Sequence, residues 1–187
     1  MLKKIMAGAM LAALSVTAII PAVASAAPGT TIVDKAIAVN SRTGNYDTLL
    51  TAATCDYLDG AVVDVLSSPD KTLFAPTDAA FRRLGESLGL GNAGLNPGNV
   101  CSVDSLLGDG TLLTILGYHV IDGRVAYRDA VSAIGTKVQM LLGGKAAITG
   151  TPRFVRIDGA LIIAKNVRAT NGFIHVVNKV LLPPALG

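Results

Sequence analysis

The stretch KTLFAPTDAAF, Lys71 to Phe81, joins a strand to a helix within eleven residues. Lys71 to Ala75 is rich in residues that suit a pleated, buried strand, and Pro76 stops it. Thr77 then stands where a helix needs a side-chain acceptor for its first free N–H groups. Pro76 is placed to pack against Phe81, and Leu84 and Leu88 continue the Phe81 face at helical spacing.

Upstream of this junction the pattern is helical. Thr31 and Asp34 form a capping box before Ile32, Val33, Ala36 and Ile37; a second helix includes Leu49, Leu50 and Ala53, and a third Leu58, Val62, Val65 and Leu66. Downstream, Gly89 to Asn99 holds four Gly, three Asn and one Pro, the composition of a flexible loop. Val103 to Leu107 and Thr111 to Leu116 suit short helices leading into a strand at Tyr118 to Ile121. From there the period changes. Asp122-Gly123, Gly143-Gly144, Asp158-Gly159 and Asn171-Gly172 punctuate β-rich runs and predict tight hairpins in an antiparallel meander. Leu161 to Ala164 and Phe173 to Val177 are almost continuously apolar, which predicts burial on both faces. Helices and strands are segregated along the chain, so the class is α+β, a sandwich packed by helices.

The first 26 residues stand apart. Lys3 and Lys4 precede an uncharged apolar run from Ile5 to Ile20, Pro21 breaks it, and Ala24-Ser25-Ala26 is an A-x-A exit, so residues 1–26 read as a secretory signal peptide cleaved after Ala26. The remaining residues 27–187 form one domain with 14 basic and 13 acidic side chains, and no further run long enough to span a bilayer. The expected location is secreted or periplasmic. Only four Phe and four Tyr, no Trp and a net charge of +3 for the whole chain do not match a nucleic-acid binder. Cys55 and Cys101 both lie in the exported part, where a cysteine pair is more often a disulfide than two free thiols.

Patterns that suggest chemistry fail on context. Gly85-Glu86-Ser87-Leu88-Gly89 matches the G-x-S-x-G of hydrolases, but Ser87 sits near the end of a helix, without the preceding strand that would present a strained nucleophile. Gly89-Leu90-Gly91-Asn92-Ala93-Gly94 matches G-x-G-x-x-G without the strand–loop–helix order of a pyrophosphate site. The histidines, His119 and His175, lie in apolar runs with no carboxylate at ligand spacing, so neither a metal nor a cofactor is expected. Arg153, Arg156, Lys165 and Arg168 are scattered along strands and read as a solvated face.

Three segments together resemble the fasciclin domain: TLFAPTDAAF at Thr72–Phe81, LLTILGYHVIDG at Leu112–Gly123 and NGFIHVVNKVLLPP at Asn171–Pro184. The resemblance extends from Thr31 to Pro184. It implies a wedge-like β-sandwich surrounded by helices, acting in adhesion to a protein or polysaccharide of the cell surface or matrix, without catalysis. In animal members of that family the Tyr-His motif and adjacent aliphatics are associated with integrin binding; the corresponding residues are Leu112, Leu113, Ile115, Leu116, Tyr118 and His119. The same residues also have a structural reading, with Tyr118 and His119 satisfying buried polar groups and Thr77 and Asp78 capping the helix that carries Phe81. Asn178 stands where many members have Asp, and the short chain with a simple signal peptide and no N-x-[ST] sequon reads as bacterial. Two further functions are carried forward: a soluble carrier of a small hydrophobic or redox-active ligand, and, last, an esterase using Ser87.

Overall fold

Thr31 opens the first helix through a reciprocal pair of hydrogen bonds: its Oγ1 accepts from the Asp34 N–H at 3.2 Å, and Asp34 Oδ2 accepts from the Thr31 N–H at 2.9 Å. The computed structural model describes residues 29–186, and the expected signal peptide lies outside them. Helix α1 (Ile32–Thr43) ends at Gly44, whose φ of 58° turns the chain toward α2 (Asp47–Ala53) and α3 (Ala61–Ser67). Strand β1 (Lys71–Pro76) and α4 (Asp78–Ser87) meet at Thr77, whose Oγ1 accepts from the Ala80 N–H. Two short helices follow, α5 (Val103–Leu107) and α6 (Thr111–Gly117).

The remaining elements are β2 (Val120–Asp122), α7 (Tyr127–Ser132), β3 (Lys137–Gln139), β4 (Lys145–Thr151), β5 (Phe154–Ile157), β6 (Ala160–Ala169) and β7 (Gly172–Val177). The seven strands lie in the order β2-β1-β7-β6-β5-β4-β3. All neighbours are antiparallel except β1 and β7, which run parallel from Lys71 opposite Gly172 to Pro76 opposite Val177. The Leu141 N–H donates to the Val120 carbonyl at 2.8 Å, so the chain leaving β3 comes back against β2 and the sheet almost closes on itself. The fold is α+β: a mixed, nearly closed seven-stranded sheet with helices packed against it.

Two apolar cores flank the parallel pair. Leu73 and Ala75 of β1 and Ile174 of β7 face a core shared with α1, α2, α3 and α6. Phe74 and Val177 face a second core, filled by Ile121, Met140, Ile148, Val155, Ile157 and Ile162. Successive strand side chains point to opposite faces, so β1 and β7 are buried on both sides because a core lies on each.

Several local expectations are corrected. Tyr118 and His119 are not in a strand but join α6 to β2. Asp122-Gly123 does not make a hairpin; it leads into α7, whose first turn is capped by Asp129 accepting from the Ala126 N–H at 2.9 Å. The β6–β7 turn is Thr170-Asn171, one residue earlier than predicted, since Gly172 already pairs with Ala169. Pro152-Arg153 turns β4 into β5 without a glycine signal. The centre of β6 faces solvent from Ile163 to Asn166, because two register shifts against β7 rotate it out of the core. Asp158-Gly159 does form the predicted two-residue turn, with φ of 46° and 77°.

Candidate functional site

Helix α6 delivers Tyr118 and His119 into the seam between the two cores, and each polar atom meets a partner. The Tyr118 hydroxyl donates to Asp158 Oδ2 at 2.5 Å and also lies 3.1 Å from the Lys145 carbonyl. Burial first, and then the Asp158 carboxylate, push the phenol well above its usual range. Asp158 is in turn fixed by the β5–β6 turn, where its Oδ1 accepts from the Ala147 N–H at 3.2 Å.

His119 is 1% exposed. Its Nδ1 lies 2.7 Å from the Ile115 carbonyl and must donate to it, which leaves Nε2 to accept from the Leu181 N–H at 2.8 Å. Burial drives its pKa down to about 4. His175 uses the opposite tautomer: Nε2 donates to the Val125 carbonyl at 2.9 Å, and Nδ1 accepts from the Asn166 N–H at 3.3 Å. Burial lowers its pKa too. Both imidazoles are neutral braces whose ring nitrogens are fully used.

Of the six residues proposed for partner contact, Leu112, Ile115, Leu116, Tyr118 and His119 are buried. Leu113 is half-buried and borders a shallow apolar groove. Asp78 caps a different helix from the one expected: its carboxylate accepts from the Thr48 N–H at 2.8 Å and the Asp47 N–H at 3.3 Å, at the start of α2. Asn178 supplies the acceptor its position needs, taking the Leu161 N–H on Oδ1 at 2.8 Å. Cys55 and Cys101 are bonded, Cα–Cα 5.7 Å, tying the end of α2 to the segment before α5.

Asn171, which opens the third of the family-like segments and a predicted turn, is also a three-way brace. Its Oδ1 accepts from the Ile32 N–H at 2.8 Å, while Nδ2 donates to the Leu66 and Ser68 carbonyls at 2.7 and 2.9 Å. One amide thus joins the start of α1, the end of α3 and the β6–β7 turn. The Asn-Gly dipeptide marked the turn, but local sequence holds no sign of these distant partners.

The two short patterns resolve into packing. Ser87 ends α4 and donates back to the Leu84 carbonyl at 2.6 Å, and neither histidine has a ring nitrogen to offer it. The glycines let a loop lie directly on the helix: a Cβ on Gly85 would fall 1.9 Å from the Leu95 nitrogen, and one on Gly94 would fall 2.1 Å from the Arg82 carbonyl oxygen. Instead of a loose loop, Asn96 and Asn99 cross-brace it, with Asn99 Oδ1 accepting from the Asn96 N–H at 2.8 Å and its Nδ2 donating to the Gly94 carbonyl at 2.9 Å.

An apolar cavity of about 250 Å³ lies among α1, α2 and α3, with Ile32, Leu49, Val62, Leu66 and Leu116 in its wall and His119 at its edge. It lies away from the Gly89–Asn99 loop. On the other side of Val62, Leu116 and Val120 is the groove bordered by Leu113, about 350 Å³, which also takes in Leu141 and Leu142.

A family model of the fasciclin domain matches residues 45–183. Immunogenic protein MPB70 of Mycobacterium bovis is 33% identical over 141 residues, 74% of this chain and 64% of that protein. Uncharacterized protein sll1735 of Synechocystis sp. is 35% identical over 138 residues, 73% and 89%. Cell surface glycolipoprotein MPB83 of Mycobacterium bovis is 30% identical over 128 residues, 68% and 50%. The chain thus spans less than two thirds of the length of these mycobacterial relatives. Among solved structures, a FAS1 domain pair from the insect cell adhesion molecule Fasciclin I aligns with 67% of this chain and 41% of that chain, at a TM-score of 0.44 and 22% identity.

Proposed function

Because the chain belongs to the fasciclin-domain family, we propose that it is an exported, non-enzymatic module that attaches to a protein or polysaccharide of the cell surface or matrix. The observation that carries this reading is the use of the motif side chains: Thr77, Asp78, Tyr118, His119 and Asn171 are all engaged in bracing the fold. A recognition role then falls to the outer surface they hold in shape. On the Tyr-His segment our reading assigns contact to Leu113, and its half-buried position at the groove supports this; the other five are buried. Export agrees with the Cys55–Cys101 bond and with the signal-peptide pattern in residues 1–26. The test is retention of the exported, disulfide-intact protein on fractionated envelope, exopolysaccharide and secreted proteins from its own source. Saturable retention on one fraction supports the module, and no retention on any fraction sinks it.

A second reading, a carrier of a small hydrophobic molecule, is favoured by the cavity among α1, α2 and α3. Its wall has no formally charged residue, and of its three polar side chains, Thr51, Thr54 and His119, the last two are already bonded within the protein. Native mass spectrometry of the exported protein checks it. A bound apolar molecule that is lost in Ala36→Phe supports the carrier, and an unliganded mass throughout removes it.

A further inference from the structure

The near-neutral total hides a division of charge between the two halves of the chain. Residues 29–123, which hold α1 to α6, carry 11 acidic and 5 basic side chains, whereas residues 124–186, which hold β3 to β7, carry 9 basic and 2 acidic. Both acids of the second half are engaged locally: Asp129 caps α7 and lies 3.5 Å from Arg128, and Asp158 takes the Tyr118 proton donor and the Ala147 N–H. Arg124 is 3.7 Å from Asp70. Among the described residues, Lys137, Lys145, Arg153, Arg156, Lys165 and Arg168 form no ion pair with an acid.

The sheet gathers what looked scattered in the sequence. Pairing sets Lys137 opposite Ala147, Gln139 opposite Lys145, and Thr149 opposite Arg156, on the face turned away from Ala146, Ile148, Val155 and Ile157. Phe154, 61% exposed, is on that outward face of β5, with Arg153 in the turn beside it, and Ile163, 52% exposed, is on the outward part of β6. Exposed apolar side chains set among unpaired cations distinguish this face from an ordinary solvated surface, which carries mixed charge and scattered single apolar residues.

We propose that the outward face of β3 to β6 docks on an anionic lipid surface, with Phe154 and Ile163 entering the headgroup boundary and Lys137, Lys145, Arg153 and Arg156 facing lipid phosphates. The proposal goes beyond the surface-attachment reading: it adds a lipid partner on a face separate from the Leu113 groove. Charge complementarity selects an anionic partner, and two protruding hydrocarbon side chains among the cations suit a surface with an apolar layer beneath its charges. The acidic helical half is then directed away from the membrane by the same field.

The test is cosedimentation of the exported protein with vesicles of phosphatidylcholine alone and of an equimolar phosphatidylcholine–phosphatidylglycerol mixture. Binding to the mixed vesicles alone is expected, weakened by added salt. Arg156→Gln should reduce it about fivefold and Arg153→Gln/Arg156→Gln several times further. Phe154→Ser should reduce it at every salt concentration. Lys35→Gln/Arg42→Gln on α1, which removes the same charge from the other half, should leave it unchanged. Equal binding to both vesicle types, or equal loss from the α1 pair and the β5 pair, overturns the proposal. So does retention on an acidic exopolysaccharide without vesicle binding, an outcome that leaves the attachment reading standing. Failure on vesicles and on every native envelope fraction removes both.

Discussion

The Leu181 N–H donates to His119 Nε2 at 2.8 Å, a buried bond that fastens the segment after β7 to the end of α6. Because the opposite nitrogen must donate to Ile115, the ring serves Leu181 only while it is neutral. Unfolded, His119 titrates near 6.5; folded, at about 4. Between those values the unfolded chain binds the extra proton, so stability is complete above pH 6.5 and falls as the pH drops toward 4. His175 contributes in the same direction. The expected loss is roughly 3 kcal/mol from His119 alone. Urea midpoints compared at neutral and mildly acidic pH check this, and an unchanged midpoint refutes it. His119→Leu should lessen the acid dependence, leaving the part due to His175, while lowering stability at neutral pH by about 2 kcal/mol, since it strands the Leu181 N–H.

Tyr118→Phe removes the donor to Asp158 without opening a cavity. The expected cost is about 1–2 kcal/mol, because a charge-assisted bond is lost while Asp158 keeps the Ala147 N–H and can regain water. Asp158→Ala should cost at least as much, and the double variant should cost less than the two single losses added. Denaturation of the three variants checks the coupling; additive losses would mean that the pair is not a unit.

Asp78→Ala should destabilise the protein by about 1–2 kcal/mol through the start of α2, not through α4. Amide exchange separates the two outcomes: protection should fall at Asp47 and Thr48 while Ala80, held by Thr77, keeps its own. Loss confined to α4 would contradict the geometry.

Reduction of Cys55–Cys101, or Cys55→Ser/Cys101→Ser, should lower stability by about 3–4 kcal/mol, the entropy released to the unfolded chain by opening a bridge that spans 46 residues. Urea unfolding with and without reductant measures it. Equal midpoints would show that the unfolded chain is already confined.

The junction at Thr77 was legible because its signals are local: a strand run, a proline and a capping hydroxyl all fall within seven residues. Asp158-Gly159 was legible for the same reason. Helix α7 was hidden behind Asp122-Gly123, because Tyr127–Ser132 has only six residues and little room for a helical period to register. The parallel β1–β7 pair could not be read, since register between distant strands leaves no mark in either one alone. Site residues followed the same division. Tyr118 and His119 could be picked out by their motif, but Asp158, Asn171 and the Leu181 amide became visible only through contacts that reach 40 to 139 residues along the chain.

If the chain is exported as proposed, the parallel pairing also sets the order in which its strands can pair. Strand β1 must wait for β7, roughly a hundred residues behind it, before its second edge can be covered. A chain that emerges N-terminus first therefore leaves the β7-facing edge of β1 open, and Phe74, whose core is built from Tyr118 to Leu181, uncovered until nearly the whole sequence has crossed. Cys55 and Cys101 bracket that strand and can join well before β7 arrives. Oxidation in transit would then hold β1 inside a closed loop, shielded from pairing with other chains while its partner is still on the way.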